Sequence, residues 1–214
     1  MTDVEAFREE YRREHVKPGY SGGVHLVFTT CGALLGMSVA FALLQDVTRL
    51  ELLVVPIAFV FANVVEHQAH RWLMHAPRGP LRFLHKRHTL QHHRFFDQGQ
   101  LAVTSSRDWR AVLFPAPVVF FFLGGIALPA GVALGALVTW NVGALFVLTG
   151  AAYYLLYEWC HLLWHQPSDS PFGRLGIVKA MRGHHLAHHV DDTRGFNVTL
   201  PLADVLLGPR APRP

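Results

Sequence analysis

Long stretches of the chain carry no charge, and these gaps set the elements it can form. No Asp, Glu, Lys or Arg lies between Lys17 and Asp46, a run of 28 residues. Within it, HLVFTTCGALLGMSVAFALL is long enough for one helix to cross a bilayer. A second gap of 14 residues, LLVVPIAFVFANVV, separates Glu51 from Glu66. It reaches crossing length if its helix continues through Glu66-His67-Gln68-Ala69-His70. From Ala111 to Tyr157 there are 47 consecutive uncharged residues. As one helix, at ~1.5 Å per residue, this segment would be about 70 Å long, more than twice a hydrocarbon core of ~30 Å. It must therefore fold back. Pro129-Ala130-Gly131 is the predicted hairpin point, because proline and glycine both break helices. The pattern predicts an all-α integral membrane protein with four crossings, at about residues 24–45, 51–70, 111–128 and 132–156.

One domain over 1–214 follows. It comprises an N-terminal segment (1–23), a first helical hairpin (24–70), a polar region (71–110), a second hairpin (111–156) and a polar tail (157–214). Residues 1–17 hold five acids and four bases, and the apolar run behind them is too long for the core of a cleavable signal peptide.

Composition sharpens this picture. Charged residues are 16% of the chain against a usual ~25%, and apolar ones 51%, which excludes a disordered chain. Two cysteines, Cys31 and Cys160, exclude a disulfide scaffold. A net charge of +4 invites a nucleic-acid reading, but the basic residues sort by topology instead. Four Lys/Arg fall in 1–17, one (Arg49) in the first hairpin turn, eight in 71–110, none at 129–131 and six after residue 157. Four crossings thus put 18 of 19 on one face, which the positive-inside rule assigns to the cytoplasm together with both termini. No nucleic-acid partner is expected.

The candidate chemistry lies in the histidines. The chain has 15, and 13 of them fall in two windows, 67–93 and 161–189, each starting at the predicted cytoplasmic end of a crossing. His161 and His165 are i,i+4 and share a helix face, as do His185, His188 and His189. His88 and His92 are i,i+4, with His93 beside them. His70 and His75 are i,i+5, ~140° apart on a regular helix, and converge only if the helix distorts or ends between them. Neutral imidazole is the commonest metal-binding side chain and suits Fe, Zn, Cu and Ni. Ten ligands exceed one coordination sphere, so two metal ions are expected. Glu66, four residues before His70, and Glu158, three before His161, are placed to accept the outer N–H of a ligating imidazole.

The segments EHQAHRWLMH (66–75), LHKRHTLQHH (84–93), YEWCHLLWH (157–165) and HHLAHH (184–189), followed by GFNVTLPLADVLLG (195–208), resemble the fatty acid hydroxylase / sterol desaturase superfamily. These are integral-membrane, non-haem di-metal oxygenases with histidine boxes on the cytoplasmic face. The resemblance covers about residues 60 to 208. It implies a cytoplasmic helical cap carrying the boxes. As ligands it implies His70 and His75; His88, His92 and His93; His161 and His165; and His185, His188 and His189. His85 and His184, beside the boxes, are additional candidates, while His67, His15 and His25 lie outside the ligand set.

The resemblance further implies two iron ions, with zinc an occupant in a purified sample, and O2 as co-substrate. The reaction is hydroxylation of a fatty acyl or sterol-like lipid drawn from the bilayer. A separate cytochrome- or ferredoxin-type protein supplies the electrons, since no cytochrome domain is fused, and a bacterial inner membrane is the expected setting. Lipid desaturation and carotenoid-ring hydroxylation are alternatives at the same site, and a membrane metal or haem carrier is a third. The second box reads HxxxHH where many relatives have HxxHH. In the tail, Asn197 stands for the usual glycine and Ala203 for the usual tryptophan.

Overall fold

The computed structural model describes residues 2–97 and 99–208, and every regular element among them is helical. The α-helices are α1 (Asp3–His15), α2 (Gly22–Ala42), α3 (Val54–Ala69), α4 (Arg82–Arg87), α5 (Trp109–Val112), α6 (Val118–Phe122), α7 (Leu128–Leu137), α8 (Trp140–Trp164), α9 (Gly176–Val190) and α10 (Leu202–Leu207). Three π-helical turns interrupt or extend them, at His70–Met74, His88–His93 and Leu123–Ala127. Four helical runs are long and apolar enough to cross a membrane: Gly22–Ala42, Glu51–Met74, Val118–Leu137 and Trp140–Trp164. Large apolar side chains such as Val24, Leu35, Ile57 and Phe121 stand exposed along them. This suits a lipid solvent and not water.

Two compact units divide the chain. One comprises Gly23–Ala62 and Phe114–Glu158. Its core gathers Ala33, Val119 and Tyr154, with Phe114, Phe122 and Leu123 packed against them. Its two hairpin turns meet through polar groups. The Asn141 side chain accepts from the Gln45 N–H (3.0 Å) and donates to the Gln45 carbonyl (2.6 Å), while Thr139 donates to Glu51 (2.6 Å).

The second hairpin differs from the sequence expectation. The third crossing begins at Val118 instead of 111, runs through Pro129 and turns at Val138-Thr139, and the fourth covers Trp140–Trp164. Pro129 is tolerated because it falls in the first turn of α7, directly behind the wide Leu123–Ala127 turn, where a missing N–H costs little. Gly131 serves packing instead of turning. A Cβ there would lie 2.3 Å from Val147 Cγ2 and 2.9 Å from the Gly143 carbonyl oxygen, so these glycines let two helices approach closely.

The other unit comprises the described residues of Met1–Gly22, Asn63–Leu113 and Trp159–Pro214. Helix α1 opens with a capping box between Thr2 and Glu5, acids in its first turn and bases in its last, which complement the helix dipole. Its Arg8 donates to the carbonyls of Phe95 (2.7 Å) and Gln100 (2.6 Å). Arg12 grips buried Asp108 with two bonds (2.7 and 2.9 Å). Together they pin the 95–108 connection. Arg210 and Arg213, counted in the one-sided charge pattern, lie outside the described residues.

Candidate metal centre

All ten box histidines fall in this second unit. The i,i+5 pair His70/His75 is reconciled by the π turn His70–Met74, in which the His75 N–H donates to the His70 carbonyl at 3.3 Å. The wider turn brings both rings to one side, stacked with centroids 5.2 Å apart. The second box repeats the device, since α4 passes into the π turn His88–His93. There His88 and His93, also i,i+5, meet with their Nε2 atoms 3.0 Å apart, while His92 points elsewhere. The end of α8 supplies His161 and, just beyond it, His165. Helix α9 supplies His185, His188 and His189.

Two groups result. His70, His75, His88, His93 and His188 bring one ring nitrogen each within 4.8 Å of one another, as do His92, His165, His185 and His189. His161 joins the second group, its Nε2 3.3 Å from that of His92. Adjacent residues part company: His93 goes to one group and His92 to the other, and His188 parts from His189 in the same way. The His93 and His189 rings stack at 4.3 Å, so the groups adjoin. Each group is therefore close enough to hold a metal ion.

The nitrogens that face one another are all Nε2. The separations are 2.7 Å for His70–His88, 3.1 Å for His75–His188, 3.1 Å for His92–His189, 3.0 Å for His165–His185 and 3.2 Å for His185–His189. Nitrogens sharing one ion at ~2.0–2.1 Å stand ~2.8–3.4 Å apart at right-angled or tetrahedral positions, so the spacing fits a common cation.

The outer nitrogens explain the orientation. The Nδ1–H of His70 is given to the Phe196 carbonyl (2.5 Å), that of His92 to Ala111 (3.0 Å), that of His165 to Leu101 (2.8 Å) and that of His188 to Arg194 (2.8 Å). Each bond leaves the Nε2 lone pair bare and aimed inward. Protons do not relieve the crowding. Burial, reinforced by the neighbouring imidazoles, holds His88, His92, His93, His165, His185 and His189 well below the usual histidine range, and burial takes His188 down to about 3. Neutral lone pairs at these distances repel unless a cation lies between them. With nitrogen ligands only, both groups suit Fe, Zn, Cu or Ni over the oxygen-seeking Mg and Ca.

Other candidates fall outside the groups. His85 turns its Nδ1 to the Met74 carbonyl (3.1 Å), and His184 pairs with Asp204 (3.0 Å). His67 is fully buried, with Nε2 3.5 Å from Asp204. Phe95 and Phe96, fully buried, pack under the site, Phe96 lying 4.0 Å from the His165 ring.

Glu66 does not take the outer N–H of His70, which the Phe196 carbonyl accepts. It instead accepts from the N–H groups of Val198 (2.5 Å) and Thr199 (3.2 Å) and from the Thr199 hydroxyl (2.6 Å). Glu66 thus holds the 196–199 segment that holds His70. Glu158 accepts the Phe114 N–H at 3.3 Å, a bond within the other unit. Asp192 lies 3.4 Å from the outer nitrogen of His75, Nδ1.

Sequence reasoning missed Asp192, Asn63 and Asp204. Asn63 donates to the Leu200 carbonyl (2.8 Å) and accepts from the Ala203 N–H (2.9 Å). Asp204 accepts from the N–H groups of Phe196 (2.8 Å) and Asn197 (2.9 Å). The two tail departures belong to the same clasp. The Asn197 amide donates to the Asn63 carbonyl (3.0 Å), and Ala203 is fully buried.

Against known proteins, no family model, curated protein or solved structure matches the chain.

Proposed function

We propose that the chain is a membrane-bound, non-haem di-iron oxygenase that hydroxylates a C–H bond of a fatty acyl or sterol-like lipid. The observation that carries the reading is the pair of adjoining nitrogen-only groups whose bare Nε2 atoms face one another. His70, His75, His88, His93 and His188 would hold one ion, and His92, His161, His165, His185 and His189 the other. Two bound iron ions supply the redox chemistry that lets O2 and two electrons oxidise an unactivated C–H bond.

The chain's own residues set the conditions for that chemistry. Carbonyls of Leu101, Ala111, Arg194 and Phe196 keep the imidazoles in the tautomer that binds. Burial shields eight of the ligands from water, and His93 and His189 are half-buried. The apolar runs give a lipid substrate a route that avoids water. The resemblance of the four boxes to the fatty acid hydroxylase / sterol desaturase superfamily supports iron over zinc and lipid over other substrates. On this reading the boxes and both termini face the cytoplasm of a bacterial inner membrane, and a separate protein donates electrons.

Anaerobic purification with metal analysis, followed by lipidomics of cells with and without the protein, tests the proposal. The expected result is iron in both sites, no Soret band, and a lipid gaining one oxygen atom. Loss of two hydrogens would make the protein a desaturase, and a hydroxyl on an ionone ring a carotenoid hydroxylase. Bound zinc with no O2 chemistry under any reductant, or a haem spectrum, would overturn it.

A further inference from the structure

On the far side of the second histidine box lies a cleft of about 570 Å³. Its wall carries Arg13, Lys17, Lys86, Arg87 and Arg110 against one carboxylate, Glu14. Five like charges gathered in a concavity repel one another and await an anion. Arg110 carries the sharper sign, for its Nη1 is buried and finds no hydrogen-bond acceptor in the protein. The neighbouring Arg87 is fixed in place by bonds to the carbonyls of Arg110 (3.3 Å) and Leu113 (3.2 Å), which hold its guanidinium rigid at the wall. Phosphate oxygens match such guanidiniums in geometry and charge.

The position of the cleft favours a lipid. Lys17 and Pro18 line it, and the apolar helix α2 begins at Gly22. Four residues of chain span at most ~14 Å, so Pro18 in the cleft wall lies within that distance of the first residue of a helix long and apolar enough to cross a membrane. Pro18 and Phe83 add apolar wall for glycerol or the first methylenes.

We infer that this cleft binds the phosphate headgroup of an anionic phospholipid. Arg87 and Gln91 immediately precede His88 and His92, so the bound headgroup seats against the back of the metal-bearing turn.

Native mass spectrometry of the full-length chain in detergent, titrated with phosphatidylglycerol, phosphatidylcholine or inorganic phosphate, tests this. One phosphatidylglycerol per chain is expected to bind at least about tenfold more tightly than phosphatidylcholine. The triple variant Arg13→Ala/Lys17→Ala/Lys86→Ala, whose side chains are exposed, is expected to lose about tenfold or more in that affinity. Arg174→Ala/Lys179→Ala, which removes exposed cations away from the cleft, should leave it unchanged.

Competition by inorganic phosphate separates the sources. Weak competition assigns the site to the lipid, and full displacement at equal concentration assigns it to a free phosphate ion, overturning the lipid assignment. Equal binding of the two lipids, or a triple variant that binds like the unmodified chain, overturns the site itself. Polyglutamate binding there more tightly than phosphatidylglycerol would give the cleft to an acidic protein and also overturn it.

Discussion

An imidazole carries a donor on one edge and an acceptor on the other, so fixing one edge aims the other. At His70, His92, His165 and His188 the outer edge is fixed by a backbone carbonyl. Replacing His92 or His188 by alanine is expected to leave the protein in the membrane but cut lipid oxidation by ~100-fold or more, at least what losing an outer partner costs. His85→Ala should keep most of the activity, because His85 faces Met74 and stands outside both groups. Metal analysis of the same preparations separates loss of an ion from loss of turnover. Glu66→Ala tests the indirect support. The methyl accepts none of the three bonds, so metal affinity should fall by about tenfold with helicity unchanged. Unchanged affinity would mean that the 196–199 segment holds His70 without Glu66. The ten clustered histidines were legible in the sequence because imidazole is scarce elsewhere in the chain. Their carbonyl partners were not, since a backbone acceptor has no residue type to read.

Between elements, the decisive features are deviations from the regular helix. Spacing alone left His70 and His75 on different faces, and only the π turn closes an i,i+5 pair. The same geometry groups His88 with His93 instead of with His92, its i,i+4 neighbour, which no α-helical wheel predicts. The proline-glycine reading of residues 129–131 failed for the converse reason. A glycine marks either a bend or a close contact, and the sequence does not say which. The contact reading has a consequence: Gly131→Ala or Gly143→Ala should lower stability in detergent by ~1–3 kcal/mol, since the new methyl has nowhere to go. Gly124→Ala, which opens onto free space, should cost little.

Helix α1 offers a pH test. Burial raises the Asp108 carboxyl, but the bonds from Arg12 and Thr104 outweigh it and hold the group below its ordinary 3.8. A carboxyl lowered in the folded state contributes stability that is complete above 3.8 and is lost as pH falls through the lowered value. Thermal unfolding midpoints should therefore drop on acidification below about pH 4. Asp108→Asn should be less stable at neutral pH and lack that part of the decline.

For the whole molecule, the question is which way the helices run, and two independent lines meet on it. One is charge: of 19 Lys and Arg, Arg49 alone lies in a hairpin turn, and the rest lie in the segments that four crossings leave on the opposite face. The other is geometry within the apolar unit, where both hairpin turns are tied together through Asn141, Gln45, Thr139 and Glu51. Turns bonded to each other emerge on the same side of any membrane that the helices cross, so Arg49 and Val138 are expected to share one compartment. In a background with Cys31→Ser and Cys160→Ser, single cysteines at Arg49 and Val138 should react with a membrane-impermeant maleimide in intact cells. Cysteines at the exposed positions Arg78 and Lys179 should react only after permeabilisation. Labelling of Arg49→Cys without Val138→Cys would break the four-crossing arrangement. Labelling of Arg78→Cys in intact cells, with Arg49→Cys protected, would keep the crossings and invert them. Inversion would put the histidine groups outside the cytoplasm, away from cytoplasmic reductants, and so remove the electron supply that an iron oxygenase requires.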